Sequence, residues 1–171
     1  MKMLLITLLA LTAHAATAQL PADFPPVRTE VLGETAPGFI FLNVAQPHDD
    51  IGFYIMMLKN DGTPFFFKDL VTDYSSDFKV QPNGNLSYAQ FLNHYTFTGG
   101  GDAEHVVLGP DFEVVDTWWM KNGYTAESHD FVLLPNGHAL MISYHLEPRD
   151  LSNLGGHPRA MVAASIIQEQ D

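Results

Sequence analysis

The chain of 171 residues has no cysteine, so no disulfide can brace it and no thiolate can hold a metal. It is poor in cations: 8 Lys and Arg stand against 20 Asp and Glu, a formal net charge of -12. That balance excludes the basic patches that nucleic acids and anionic membrane surfaces require. It leaves small ligands open, because a few local cations suffice for a small anion. No apolar run, that of the first residues included, is long enough to cross a bilayer, and the chain after them shows no sustained helical period. What remains is ample for a packed core, since hydrophobic residues make up 46%. The length fits one domain.

The one uniformly apolar stretch is the start, "MKMLLITLLALTAHAATAQ". Lys2 supplies a positive end, Met3 to Leu11 an apolar segment, and Ala16-Thr17-Ala18 a small-residue cleavage site. Residues 1–18 therefore read as an export signal, with a mature chain from Gln19 in the periplasm or outside the cell. The next segment carries Pro21, Pro25, Pro26 and Pro37, which favour an extended path.

The mature chain repeats itself. "DFKVQPNG" (Asp77 to Gly84) returns as "DFVLLPNG" (Asp130 to Gly137), 53 positions on, sharing Asp, Phe, Pro, Asn and Gly. Upstream, Leu58 and Asp61 align with Leu108 and Asp111 at an offset of 50. "ASIIQEQD" at the end matches the same segment, with Asp171 in the place of Asp61 and Asp111. Each unit reads as four short strands: an apolar run, an Asp turn, an apolar run, a longer loop, a D-F strand, a Pro-Asn-Gly turn and a last apolar run. Asn-Gly between apolar runs is a hairpin signal, because both central positions of the tight turn need positive φ. Four antiparallel strands per 40–50 residues is the pattern of a β-propeller blade. The expectation is an all-β partial propeller: two four-stranded blades from Tyr54 onward and the start of a third. Pro37 to Val44 would be a strand before the first blade. Residues 19–171 then form the N-terminal fragment of a propeller domain.

The segments "TAPGFIFLNV", "MLKNDGTPFFF", "DFKVQPNGNLSY", "NGYTAESHDFVLLPNGHALMISY" and "ASIIQEQD" together resemble the bacterial arylsulfotransferase family, in the order of its N-terminal portion. The H-D-F-x-x-L-P-N-G string and the N-D-G hairpin are the specific parts. The resemblance implies a six-bladed ring. It also implies transfer of a sulfuryl group from a phenolic sulfate ester to a phenol, without a nucleotide sulfate donor or other cofactor. Histidines and an arginine would line the axial channel. It places a site histidine at His129 and the nucleophilic histidine beyond Asp171, so that the fragment alone would be inactive. The partners implied are a small aryl sulfate and a phenol, with neither nucleic acid nor membrane; nothing in the sequence sets an oligomeric state.

His129 draws attention on its own account. It breaks the repeat, with Ser76 in its place in the first copy, while the neighbouring Asp and Phe persist. An imidazole there can donate to a sulfate oxygen or pass a proton to a leaving phenol. Asp77 and Asp130 occur in both copies and read as structural, although Asp130 could orient His129. "YHLEPRDLSNLGGHPRA" (Tyr144 to Ala160) reads as a long loop whose Arg149 and Arg159 could bind an anion, or pair with Glu147 and Asp150. Lys121, beside Trp118 and Trp119, is a further substrate-binding candidate near an aromatic wall. His48, His94, His105 and His138 lack metal-ligand spacing and read as ordinary surface or core histidines. "TGGGD" (Thr98 to Asp102) lacks the Lys-Ser/Thr ending of a phosphate loop. Two other functions fit the pattern: a non-catalytic propeller that binds a ligand or protein, and a calcium-dependent hydrolase using Asp77 and Asp130.

Overall fold

The computed structural model describes residues 19–44, 48, 50–71, 74–93 and 102–171. The export-signal reading of residues 1–18, His94 and most of the TGGGD segment lie outside them. Among the described residues the chain is all-β, with one short 3-10 turn at Ser152–Leu154. Eleven strands run β1 Ile40–Asn43, β2 Tyr54–Leu58, β3 Pro64–Asp69, β4 Ser75–Val80, β5 Leu86–Phe91, β6 Asp102–Leu108, β7 Val114–Trp118, β8 Ala126–Glu127, β9 Phe131–Leu133, β10 Ala139–Arg149 and β11 Ala160–Gln170.

They form three antiparallel sheets: β1-β2-β3, then β4-β5-β6-β7 with β8 beside the start of β6, then β9-β10-β11. The expected grouping of β2 to β5 as one four-stranded unit is therefore corrected. The break falls between β3 and β4, and β5 continues into β6 through a ladder from Leu86↔Leu108 to Phe91↔Ala103. The D-F strand opens the second and third sheets instead of sitting third, and the first sheet begins with β1, the counterpart of β5 and β10. A repeat reveals its period but not its starting point, because any circular shift of four strands yields the same period.

The Asn-Gly turns take positive φ only at their glycines, not at Asn83 and Asn136 as well. Gly84 and Gly137 have φ of 89° and 87°. Each Pro-Asn-Gly turn closes with matching bonds, Gln81 N–H to the Asn85 carbonyl at 2.7 Å and Leu134 N–H to the His138 carbonyl at 2.7 Å. Asn83 and Asn136 each accept the backbone N–H two residues on, both at 3.1 Å.

The closing repeat shifts by two residues. Leu86 pairs with Leu108, but Ala139, its equivalent 53 positions on, pairs with Gln170. Gln170 thus holds the place of Leu108, and Asp171 that of Gly109, not of Asp111. The expected loop from Tyr144 to Ala160 is likewise shortened, its first six residues being strand. β10 and β11 are 11 residues each and stay registered out to Arg149↔Ala160, leaving a loop of 150–159. Pro148 is tolerated because β9 pairs β10 only from Ala139 to Met141, so β10 has a free edge there.

Alternate residues of the middle strands face opposite ways and fill two seams. Ile55 and Met57 of β2 meet Phe78, Leu86, Tyr88, Val106 and Leu108 of the second sheet. Val107 of β6 meets Phe131, Leu133, Ala139 and Met141 of the third. The outer face of β2, formed by Tyr54, Met56 and Leu58, is covered by the proline-rich segment through Phe24. Phe24 lies 5.3 Å from the Tyr54 ring and 5.0 Å from that of Phe67. The Tyr54 hydroxyl donates to Asp23 at 2.9 Å; burial first, then that bond, pushes its pKa up to about 12. On the third sheet the face equivalent to Ile55 and His105 carries Ile167, 73% exposed.

The second seam is stitched by Gln81, which is buried. Its amide accepts from the Leu133 N–H at 2.8 Å and donates to the Phe131 carbonyl at 3.0 Å, so a side chain stands in for a backbone ladder between β4 and β9. Gln81→Ala leaves both groups unpaired and is expected to cost about 1–3 kcal/mol in denaturant unfolding. A loss under a few tenths would show that water replaces the amide.

Candidate functional site

His129 sits just before β9, where the repeat departs from Ser76. Glu127 ends β8 and the chain bends at Ser128 and His129, which brings the histidine ring onto the Glu127 carboxylate. The Glu127 side chain is only 4% exposed and that of His129 59%. Both carboxylate oxygens of Glu127 are committed: Oε2 accepts the His129 backbone N–H at 2.8 Å, and Oε1 contacts ring Nδ1. Nε2 is left for solvent or substrate. The imidazole opens into a cleft of about 320 Å³ lined by Ser76, Asp77, Phe91, Ser128 and His129. The cleft thus lies where the two copies of the motif meet. Ser76, in the histidine's repeat position, donates through Oγ to the Ser128 carbonyl at 2.6 Å and ties the copies together.

The aspartates are structural, as their recurrence suggests. Lys79 reaches Asp130 at 2.5 Å and Asp77 at 2.7 Å, bridging the two D-F motifs. Asp130 therefore holds Lys79 and not His129. Burial raises the Asp77 pKa, and the Lys79 ammonium offsets only part of that. For Lys79, burial pulls downward, but the hydrogen bonds to Asp130 and Asp77 outweigh it and its pKa is raised. Asp77 takes φ of 53° beside a register shift in β4, a conformation that Asp tolerates better than most residues.

Behind the cleft lies a histidine that sequence reading passed over. His105 is fully buried, and its ring stacks on Phe131 at 4.7 Å and 9°. Neither ring nitrogen has a partner at hydrogen-bonding geometry. Desolvation drives its pKa down to about 4, partly opposed by the Glu127 backbone. Its register partners are Ala89 and Trp118, and the corresponding position of the first sheet is Ile55, opposite Asn43 and Lys68. Two departures from the repeat, Ile55 to His105 and Ser76 to His129, thus meet in one seam. The first was visible at the offset of 50, had the comparison been carried inward from Leu58.

The cationic candidates lie elsewhere. Lys121 borders a separate cleft with Asp116, Thr117, Trp118, Trp119 and Gln170, and its backbone exchanges hydrogen bonds with the Gln168 amide. Arg149 ends β10 on an exposed arm and pairs with Glu147 at 2.5 Å. Arg159 is exposed in the loop after the 3-10 turn, where Asp150 caps Ser152. None of the three lines the His129 cleft. His138 pairs with Glu169 at 2.8 Å at the far end of β9, and His48 is exposed. No cluster of metal-ligating side chains occurs among the described residues, and Asp77 and Asp130, the proposed calcium ligands, already share an ammonium group. Compared with known proteins, the chain matches no family model, no curated protein and no solved structure.

Proposed function

We propose that the chain belongs to an exported β-propeller that transfers a sulfuryl group from a phenolic sulfate ester to a phenol, with His129 touching the substrate. The ring reading is supported by three successive sheets that share one strand order, the second and third opened by a D-F strand and each sheet joined to the next through a phenylalanine-lined seam. The observation that carries the site is the Glu127–His129 pair: a half-exposed imidazole, held by a buried carboxylate, at the position where the other copy has serine. In this reading Nε2 accepts the proton of the acceptor phenol as that oxygen attacks and returns it to the departing phenolate of the next turnover, and the side chain of Phe91 lines the cleft beside the aryl ring. The cation that a sulfate needs is not Lys79, whose charge is spent on two carboxylates. The reading places the anion-binding arginine and the nucleophilic histidine on further repeats, packed against the face that carries Ile167.

The test is transfer from a nitrophenyl sulfate to a phenol by the complete polypeptide of this reading frame, with release of nitrophenol dependent on the acceptor phenol. Absence of transfer across a panel of phenols, in a folded preparation, would favour a binding module that uses the same cleft.

A further inference from the structure

Glu127 is the residue that distinguishes this cleft from a surface histidine in a loop. Its carboxylate is buried in β8, whose backbone pairs with Asp102 and Ala103 of β6, so its position is set by the sheet and not by the loop. It uses both oxygens on one residue, the backbone N–H and the ring of His129. A carboxylate accepts only, so the ring nitrogen facing it must carry the proton. We infer that Glu127 is the positioning residue for His129, holding the neutral ring with its proton on Nδ1 and presenting Nε2 bare to the cleft. This rests on the proposed role of His129 but is measurable apart from it. Asp130, adjacent in sequence, is excluded from the task by its bond to Lys79. The other ionisable groups around the pair are Asp102 in register on β6, Asp77 and Lys79 on β4, and buried His105.

A glutamine in place of Glu127 keeps the size but brings an NH2 group. It can offer its oxygen to only one of the two N–H donors, and the NH2 must face the other. Presented to the ring, the NH2 requires Nδ1 to accept and moves the proton to Nε2. The experiment is nitrogen-15 NMR of the His129 ring in the chain labelled at histidine, at about pH 8, above the ordinary imidazole range. Assignment comes from the signal lost in His129→Ser. The expected result is a protonated Nδ1 and an unprotonated Nε2 in the native chain, with Glu127→Gln moving the proton to Nε2 for a substantial fraction of molecules. Glu127→Ala, with no acceptor, should do the same, and either folded variant decides the matter, with amide spectra as the check of folding. A native ring protonated at Nε2, or a tautomer unmoved in a folded variant, would overturn the inference. In the transfer assay Glu127→Gln should lower kcat on the order of tenfold or more with KM little changed, the signature of an orienting partner. A correct tautomer shift without any transfer activity in the native polypeptide would sink the sulfuryl reading and leave the role of Glu127 standing.

Discussion

His129→Ser in the complete polypeptide is expected to lower turnover of an aryl sulfate by on the order of a hundredfold or more, the scale of losing a proton-transfer or oxyanion partner. The fold should survive. Ser76 already occupies the equivalent position in the second sheet, and the His129 side chain is 59% exposed, so little packing is lost. The backbone N–H that binds Glu127 is retained in the serine variant. One cost is not visible in the repeat: Glu127 Oε1 loses its ring partner and must turn to water from the open cleft. A fall in melting temperature of no more than about 3 °C is expected on that account. Thermal melting and initial rate on the same preparation decide between roles. Unchanged turnover with a clearly lowered melting temperature would make His129 a strand cap.

The second large effect concerns acid. His105 titrates at about 4 in the folded chain against 6.5 when exposed. Between those values the unfolded chain binds a proton that the folded chain refuses. Its titration therefore takes nothing from stability above about pH 6.5, and stability falls as the pH drops from there towards 4. Below 4 both states are protonated and the loss stops growing. A shift of this size corresponds to at most about 3.5 kcal/mol. His105→Ile copies the first seam, where Ile55 packs in the same cluster as Phe78. It should remove that slope, so that the stability of the variant relative to the native chain rises as the pH falls from about 6.5 to about 4 and stays constant near pH 8. The charged neighbours that act on His105 are Lys79 and Asp130, with Glu127 facing it through its backbone; their effect on the imidazole is part of its shift and goes with it in the isoleucine variant. Unfolding by denaturant at several pH values gives that difference directly. Parallel stability curves for the two proteins would mean that His105 finds a proton acceptor in the seam.

Both residues show how far the repeat carries an argument and where it stops. Ser76 against His129 was legible, because five shared residues fix that alignment. Its orienting partner was not: the adjacent Asp130 was the natural candidate, and Glu127 won because β8 buries it and the bend at Ser128 and His129 turns the ring back onto its carboxylate. Asp130 meanwhile met Lys79 from the other copy, a neighbour 51 positions away. Arg149, Arg159 and Lys121 were drawn together only by their charge, and the long β10–β11 arm and the β7–β8 turn carry them away from the cleft.

Local chemistry determined what the sequence alone could determine here. Asn-Gly and Asp-Gly turns demand positive φ, β-branched and aromatic runs favour strands, and together these set an all-β chain with a period near fifty. The tertiary structure decided which strands share a sheet, since ladder bonds between β5 and β6 are non-local and carry no sequence label. It decided the two-residue shift that seats Gln170 opposite Ala139. It also decided that a buried glutamine would join β4 to β9 and a buried glutamate would hold His129. Those outcomes follow from the desolvation of polar groups, and which polar groups lose their water is settled only when the sheets come together.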